Sequence, residues 1–292
     1  DGKHTALGTQ KGLIFLNSRG RPLWFNKQIR RIKDVSVSTR SGKIAVGSSQ
    51  KVLYLLNTKG ESLWHRELDS SVIAVSISAR GNLIAIGTDE GKLMLFDGKG
   101  KKKWEVHLSN SDFSVNSVDI TSDGEFIVAG TDYSHLYLYD SSGKVLWSKE
   151  TGSEVLKTCI SSNGDYLGYL TSDRKFSFCV KNSRMLWENT FDSQPLWIDM
   201  AQTADFVSVG ESSNKINLYN KLTSLGYNLP SITSPRAHVS KKAKIGKGSI
   251  ILHDVIINSY VKIGNNCIIN SKSLIEHSSF IGNHSQISTG VI

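Results

Sequence analysis

The sequence predicts an all-β protein in which a β-propeller is followed by a short parallel β-helix. Three observations support this. Tryptophans recur about every 40 residues, isoleucines recur every six residues after Pro235, and short alternating apolar stretches are separated by Gly, Ser and Asn. Neither period matches the 3.6 residues of an α-helical turn. Repeats of about 40 and of six residues are typical of propeller blades and β-helix coils, respectively.

The longer repeat has four strands in each unit. Its tryptophans are spaced 40, 40, 43 and 40 residues apart, and residues 29–68 contain the strand patterns DVSVS, KIAVG, KVLYLLN and SLWHREL, joined by turn residues. A four-stranded sheet of this size buries its faces by stacking on neighbouring sheets, as propeller blades do. We therefore expect about six visible blades, four whole and two partial. The last is expected to end with a strand at KINLYN, 215–220. The repeat tryptophans, interpreted as structural residues, are Trp24, Trp64, Trp104, Trp147 and Trp187.

The stretch LYDSSGKVLW at 138–147 resembles the quinoprotein-like (PQQ-type, WD40-like) propeller repeat, in which an Asp, a Gly and a docking Trp follow in this order. The Gly-His and Trp-Asp pairs of WD40 repeats are absent from the sequence. The resemblance implies a binding platform for a protein or a small ligand. We find no quinone ligands in the sequence and predict no PQQ. Trp197 lies outside the repeat register, and its role stays open between packing and binding.

The shorter repeat places aliphatic residues at every sixth position from Val239 to Ile287 without a gap. A small or β-branched residue follows each of them after four positions. A chain that turns every six residues stacks these side chains as ladders inside a three-sided prism. We predict a propeller over 1–220, a junction over 221–238 and about three coils over 239–292. The stretch NKINLYNKLTSLGY at 214–227 fits either a last propeller strand or a helix before the β-helix.

The charge and composition restrict the kinds of partner that the sequence predicts. The chain of 292 residues has a net charge of +9, with lysines scattered apart from two clusters at predicted turns, Lys101–Lys103 and Lys241–Lys244. We interpret these as solvated surface and predict no nucleic-acid partner. No apolar run approaches the roughly 18–20 residues of a membrane span. The odd cysteine count, without a CxxC pair, predicts buried core thiols and favours a cytoplasmic location.

The text SLIEHSSFIGNHSQIS resembles the left-handed β-helix acetyltransferases that modify sialic acid or bacterial amino sugars, and the resemblance covers about residues 221–292. It implies acetyl-CoA as cosubstrate, a sugar or nucleotide-sugar acceptor and a homotrimer. By the same resemblance His277 is the general base, Asn270 and Gln286 contact substrate, and Glu276 and Ser278 orient the base. An imidazole suits this task because its ordinary pKa lies near neutrality. The sequence departs from the family at Ser278, a weaker orienting residue than the usual acid, and at Gln286, where a second substrate-contacting His is usual.

Two questions stay open: the role of His277 and the function of the whole chain. His277 occupies the outward third position of its hexapeptide, as His253 does, so it fits a plain surface residue as well. Spacings of 24 and 7 residues between His253, His277 and His284 do not match an 18-residue coil, and we predict no metal site. Because the resembled family continues through further coils that bind CoA, we expect the catalytic part to be incomplete in this chain. The chain is then an enzyme module joined to a propeller, or a non-catalytic binding scaffold that arose as a fragment or fusion.

Overall fold

A computed structural model describes residues 4–17, 21–108, 113–200, 207–211, 215–224, 226–287 and 290–291. Contacts divide the chain into two compact units, Asp1–Ser212 and Ser213–Ile292. The first unit consists of antiparallel sheets, and the second contains one helix and a parallel β-solenoid of about three turns. The all-β prediction is therefore confirmed for both parts of the chain.

Within the described residues, unit 1 has one three-stranded sheet, four four-stranded sheets and one strand pair, each a simple antiparallel meander. The strands in chain order are β1 (His4–Gly8), β2 (Leu13–Asn17), β3 (Pro22–Asn26); β4 (Ile32–Val37), β5 (Ile44–Ser48), β6 (Val52–Leu56), β7 (Ser62–Glu67); β8 (Val72–Ile77), β9 (Leu83–Thr88), β10 (Lys92–Asp97), β11 (Lys102–His107); β12 (Ser117–Ile120), β13 (Phe126–Gly130), β14 (His135–Asp140), β15 (Val145–Glu150); β16 (Val155–Ile160), β17 (Tyr166–Thr171), β18 (Lys175–Val180), β19 (Met185–Thr190); β20 (Pro195–Met200) and β21 (Val207–Glu211).

The core of unit 1 lies between successive sheets. Every residue of β5 is buried, and so are five of the six residues in β9 and in β10, whereas the fourth strands β7, β11 and β15 are mostly exposed. A middle strand buried on both faces reads as a continuous apolar run, as in LIAIGT, because a sheet covers each side of it. The first strands β4, β8, β12, β16 and β20 contact one another in sequence. This arrangement confirms the stacked blades that the 40-residue period predicts.

Four of the five repeat tryptophans connect their sheet to the next one by a hydrogen bond. The indole Nε1 of Trp24 donates to Thr58 O at 2.8 Å, and Trp64 donates to Gly98 O at 3.1 Å. Trp104 and Trp147 donate in the same way to the next sheet, to Ser141 O at 3.1 Å and to a carbonyl 34 residues later at 2.6 Å. A buried indole is stable when its N–H finds an acceptor. The tryptophans therefore have the structural role that the sequence analysis assigns to them.

The turns that receive the indoles require a left-handed backbone. Gly60, Gly100 and Gly143 have φ between 80° and 89°, and a Cβ atom on any of them would approach a tryptophan ring of the preceding sheet to 2.8–3.0 Å. Glycine satisfies both demands, since it lacks a Cβ and tolerates positive φ. Ser183 occupies the corresponding turn after Trp147, with φ 67°. This explains why the Gly-x-x-x-Trp spacing marks the repeat in the sequence.

Unit 2 begins with α1 (Lys215–Ser224), followed by paired two-residue strands on three faces. Each strand pairs in parallel with the strand 18 residues later, so one coil takes 18 residues. Face 1 consists of β22 (Ile232–Thr233), β25 (Ile250–Ile251), β28 (Ile268–Ile269) and β31 (Gln286–Ile287); face 2 of β23 (His238–Val239), β26 (Ile256–Ile257) and β29 (Leu274–Ile275); face 3 of β24 (Lys244–Ile245), β27 (Lys262–Ile263) and β30 (Phe280–Ile281).

The aliphatic residues predicted at every sixth position fill the core of the solenoid. Ile251, Ile257, Ile263, Ile269 and Ile275 are at most 6% exposed and form one core with small residues such as Val255, Val261 and Cys267. The backbone turns left-handed at a fixed point of each hexapeptide, where φ lies between 54° and 71° from Gly248 to Gly290. The core confirms the hexapeptide repeat, and the solenoid is consistent with the predicted left-handed β-helix.

The propeller strand predicted at 215–220 is wrong, because these residues belong to α1, the helix that the sequence allowed there as the alternative. Gly226 ends the helix, with φ 81° and its N–H bonded to Thr223 O, while Tyr227 N donates to Leu222 O. Such bonds around a left-handed glycine are typical of a helix C-terminus. The contact boundary accordingly lies between Ser212 and Ser213 rather than at residue 220. The helix among the described residues has ten residues, too few to cross a bilayer.

Candidate functional site

The proposed base lies on a corner of the solenoid. His277 follows β29 at the edge where face 2 turns into face 3, which we call edge 2/3. Its side chain is exposed, and within the described residues its imidazole makes no hydrogen bond or ion pair. The residue one coil earlier at this position is Ser259, whose carbonyl accepts a hydrogen bond from Ser278 N at 3.0 Å. The imidazole is therefore open to a ligand that approaches edge 2/3.

The two predicted orienting residues flank His277 but do not hold its ring. Glu276 Oε2 accepts a hydrogen bond from Asn258 Nδ2 at 3.0 Å, on the preceding coil. Ser278 occupies the left-handed corner with φ 61° and is exposed. Among the described residues, neither side chain makes a hydrogen bond or ion pair with the imidazole. Neither residue fixes the ring in this structure.

The two predicted substrate contacts lie elsewhere on the prism. Asn270 follows β28 at the edge between faces 1 and 2, and its Nδ2 donates to Ile287 O on the next coil at 2.6 Å. Gln286 points outward from face 1 and is exposed. The structure thus brings Glu276, His277 and Ser278 to one edge, and it brings Asn270 and Gln286 to another part of the same coil region. A single copy of the solenoid therefore does not bring all five predicted site residues together.

Two other solenoid histidines, His253 and His284, have ring nitrogens within hydrogen-bond distance of a partner, whereas the exposed ring of His238 on β23 is unbonded in the described residues, like that of His277. His253, which occupies the same hexapeptide position as His277, has its Nδ1 2.6 Å from Ser234 Oγ. His284 is half-buried: its Nδ1 lies 2.9 Å from Asn266 Nδ2, and its ring packs edge-on against Tyr219. The helix that carries Tyr219 is what covers this corner. His277 differs from both because its ring is unbonded in the described residues.

A second candidate site is a cavity of about 220 Å³ in unit 1, lined by the first strands β4, β8, β12, β16 and β20. Alternate residues of these strands face it, so its polar groups recur near the same position of each repeat unit. The sequence analysis missed this site, although the polar residues inside the apolar first strands were a signal for it. The lining polar and aromatic residues include Asp34, Ser36, Ser76, Ser117, Asp119, Lys157, Thr158, Cys159, Trp197 and Asp199.

Two of the cavity carboxylates, those of Asp34 and Asp119, connect neighbouring sheets by hydrogen bonds. Asp34 Oδ2 accepts a hydrogen bond from Val75 N at 2.9 Å, and Asp119 Oδ2 accepts one from Ile160 N at 2.9 Å; in both pairs the donor lies 41 residues later. Ser76 Oγ also donates to Asp119 Oδ1 at 2.8 Å. A charge-assisted bond to a backbone N–H is stronger than one between neutral groups. These carboxylates join first strands of successive sheets, in addition to facing the cavity.

Burial changes the protonation of these groups. Burial raises the pKa of Asp119 to about 6, and the charge of Asp199 adds a smaller increase. Burial also raises the pKa of Asp34, against which the charge of Lys157 acts. Lys157 Nζ lies 4.7 Å from the ring centroid of Trp197, a cation–π distance. Trp197, whose role the sequence left open, thus lies at the cavity and is 56% exposed.

The stability of unit 1 is expected to fall as pH rises from about 4.5 to 7.5. The folded-state pKa of Asp119, about 6, lies above the ordinary value, so the folded state binds more protons and loses stability as the carboxyl ionises. The loss across this window is roughly 2 kcal/mol, because each pKa unit corresponds to about 1.4 kcal/mol and the unfolded carboxyl is already mostly ionised at pH 4.5. Urea unfolding followed by tryptophan fluorescence measures it, because all six tryptophans lie in unit 1.

Asp119→Asn should flatten this pH dependence, and Asp34 accounts for a remaining slope of the same sign. The matched control is Asp123→Asn, because the pKa of Asp123 is lowered and that carboxyl stays ionised across the window. An Asp119→Asn variant that retains the full wild-type slope would show that another group controls it.

Metal and thiol chemistry have little support in the described ranges. No three His, Cys, Asp or Glu side chains converge there as a metal ion requires. The three cysteines are buried and unpaired, as predicted. Burial raises the pKa of the Cys179 thiol to about 11 and raises that of Cys159 further. Since the thiolate is the reactive form, neither thiol is an activated nucleophile.

Comparison with solved structures supports the fold of unit 1. A chain in the crystal structure of a mitotic checkpoint complex superposes with a TM-score of 0.64 at 14% sequence identity, covering 72% of this chain and 69% of that chain. At this identity the likeness concerns the fold alone. In total 1609 chains of solved structures match, so the fold is too widespread to indicate a ligand.

Comparison with protein families is more specific. Residues 10–204 match the sequence profile of the PQQ_2 family, described as outer membrane protein assembly factor BamB. The match covers the docking tryptophans and every four-stranded sheet of unit 1, and it extends over well over half of the chain. The predicted quinoprotein-like repeat is thereby confirmed, and the chain belongs to the PQQ_2 family of BamB-like β-propeller proteins.

Proposed function

We propose that unit 1 is a protein-binding propeller and that unit 2 transfers an acetyl group from acetyl-CoA to a sugar amine or hydroxyl, with His277 as general base. The observation that carries the catalytic part is the unbonded, exposed imidazole of His277 on an ordered hexapeptide coil, whereas His253 at the equivalent position is hydrogen-bonded. The resemblance of IEHSSFIG to the β-helix acetyltransferases supports the same role. The family description, a protein assembly factor, supports the role of unit 1.

The chemistry requires one base. The acceptor nitrogen or oxygen attacks the thioester carbonyl, a C–N or C–O bond forms and the C–S bond to CoA breaks. The imidazole removes the proton from the attacking atom and returns it to the departing thiolate, so that His277 ends neutral. A backbone N–H near the carbonyl oxygen would stabilise the developing oxyanion. The products are the acetylated sugar and free CoA thiol.

The separation of the site residues favours a homotrimer. Asn270 and Gln286 lie away from edge 2/3, so they would act with His277 through a groove between two copies. Outward-facing isoleucines are available for such contacts, since Ile232 on face 1 is 60% exposed and Ile256 on face 2 is 43% exposed. Burying these side chains would stabilise an assembly by roughly 1.5–3 kcal/mol each.

A quinone cofactor does not fit the propeller cavity. The cavity of about 220 Å³ is smaller than the roughly 300–1,000 Å³ of most small-molecule sites. It also presents the carboxyls of Asp34, Asp119 and Asp199, which would repel a quinone that carries carboxylates. We therefore propose that this propeller binds a protein without PQQ. Exposed apolar residues on β19 and β20, such as Leu186 and Leu196, suit a protein contact.

The proposal is tested with the full chain, acetyl-CoA and an amino-sugar acceptor such as UDP-glucosamine, by measuring released CoA thiol. We expect thiol release that depends on both substrates, from a species whose mass by light scattering is three times that of the chain. Calorimetry with acetyl-CoA measures binding separately. Neither thiol release nor acetyl-CoA binding by the intact chain would favour the alternative, a non-catalytic scaffold.

A further inference from the structure

Edge 2/3 and face 3 carry a basic and aromatic surface beside His277. We call it the Lys–Phe strip; its residues are Lys241, Lys242, Lys244, Tyr260, Lys262 and Phe280. Unit 2 holds nine Lys and Arg residues but two Asp and Glu residues, so it contributes +7 of the net charge of +9. The basic character of this protein is therefore concentrated in the solenoid, where the scattered lysines of the sequence come together.

The outward residues of face 3 form one column. Lys244 pairs in register with Lys262, and Lys262 pairs in register with Phe280. Adjacent strands are about 4.8 Å apart, so the two lysine side chains leave the sheet at neighbouring positions and Phe280 follows at the next step. Like charges directly opposite each other on a sheet destabilise it. An anion bound between Lys244 and Lys262 would remove that repulsion.

The lysines of the strip are available for a ligand. Lys241, Lys244 and Lys262 are exposed and make no ion pair or side-chain hydrogen bond within the described residues. Lys242 is held over Tyr260, with its Nζ 3.0 Å from the hydroxyl and 5.0 Å from the ring centroid. This contact keeps a cation and an aromatic ring together at edge 2/3.

The two acidic residues of unit 2 are too few to neutralise the strip, which has four lysines. Asp254 lies in an ion pair with Arg236 at 2.6 Å, and Glu276 accepts a hydrogen bond from Asn258. The positive field over face 3 is therefore left to solvent or to a ligand.

Phe280 is 75% exposed at the end of the column. An aromatic ring on the surface lacks the stabilisation that burial of its side chain would contribute. Its ring is one strand spacing from Lys262 and three residues from His277 along the same coil. A flat exposed ring next to a cation provides a stacking surface for a nucleobase.

We propose that the Lys–Phe strip binds a nucleoside diphosphate, with the base stacked on Phe280 and the phosphates on Lys262 and Lys244. Two strand spacings, about 10 Å, separate Phe280 from Lys244, which suits the extent of a nucleotide from base to terminal phosphate. This inference rests on the proposed function, because the bound nucleotide would be part of one of its two substrates, CoA or a nucleotide-sugar acceptor. Its binding next to His277 would bring the reacting end of that substrate to edge 2/3.

The test measures binding without catalysis. Calorimetry with the full chain compares 3′,5′-ADP, UDP and adenosine at low and high salt. We expect either nucleotide to bind, adenosine to bind far more weakly, and affinity to fall as salt screens the lysines. Preference for 3′,5′-ADP assigns the strip to CoA, and preference for UDP assigns it to the acceptor.

The variants separate charge from stacking. Lys244→Gln with Lys262→Gln should weaken nucleotide binding at least about tenfold, because hydrogen bonds to charged groups are the stronger ones. Phe280→Leu should weaken it about fivefold or more through lost stacking. Lys272→Gln, a lysine outside the strip, is the control and should bind as the wild type does. His277→Ala should also bind nucleotide normally, and loss of acetyl transfer alone would thus leave this inference standing.

The inference would be overturned if the full chain bound no nucleotide or if all variants bound equally. It would also fail if Phe280→Leu changed the mass of the assembly while nucleotide affinity stayed unchanged, since Phe280 would then be an interface residue. A single-stranded oligonucleotide that bound far more tightly than either nucleotide at equal salt would instead identify the strip as a nucleic-acid surface.

Discussion

Replacing His277 with alanine is expected to lower the rate of acetyl transfer about 100- to 10,000-fold, the usual contribution of a positioned general base. The imidazole is exposed, so its removal leaves no cavity in the solenoid core and no unpaired buried group. The fold should therefore be unchanged, and the effect should fall on the catalytic rate constant rather than on acetyl-CoA affinity. The measurement is initial-rate release of CoA thiol with both substrates saturating.

His253→Ala is the matched control, because His253 occupies the same hexapeptide position at the edge between faces 1 and 2. We expect it to retain the wild-type rate, although it removes the contact of His253 Nδ1 with Ser234 Oγ. Equal rate losses in both variants would indicate damage to the solenoid rather than loss of a base. A His277→Ala variant that transfers acetyl groups at the wild-type rate would exclude His277 as the base.

Replacing Trp104 with alanine is expected to destabilise unit 1 by about 3 kcal/mol, at the lower end of the range for large aromatic residues because the ring is partly buried. The variant loses the hydrogen bond from Nε1 to Ser141 O, the stacking on Tyr139 at 6.0 Å and the contact with the turn at Gly143. Urea unfolding followed by the fluorescence of the remaining tryptophans measures the change at constant pH.

Trp187→Ala provides the comparison for this prediction. Trp187 is 46% exposed and contacts Phe176 and Phe178 of its own sheet, and its indole donates to no neighbouring sheet within the described residues. Its loss should cost about 1–2 kcal/mol, since less apolar surface is buried. If the two substitutions destabilised unit 1 equally, docking on the next sheet would not be the source of the stability at Trp104.

Much of the architecture follows from the sequence because its causes are local or strictly periodic. A glycine four residues before each docking tryptophan marks a left-handed turn, and isoleucine at every sixth place marks the inward side of a coil. Both patterns reflect a fixed geometry repeated along the chain. The burial of Cys159, Cys179 and Cys267 follows in the same way from apolar strand patterns.

The junction shows where such inference fails. KINLYN resembles the third strands KLMLFD and HLYLYD, but it forms the first part of α1, which ends at Ser224 before the left-handed Gly226. The pattern of six residues suits both structures, and the difference arises from the residues after it. The strands lead into a turn and a docking tryptophan, whereas KINLYN leads into a helix terminus. Local pattern alone does not distinguish these outcomes.

The sequence by itself determined the two repeats, their periods and the outward position of His277, because period and side-chain direction are properties of the backbone. The tertiary structure alone decided that Asp119 is desolvated between two sheets, that Asn270 and His277 lie on different edges, and that Lys244, Lys262 and Phe280 form one column. These facts depend on contacts between residues that are 18 or about 40 positions apart in the chain. The environment of a side chain, and with it its pKa and its partners, is set by those distant neighbours.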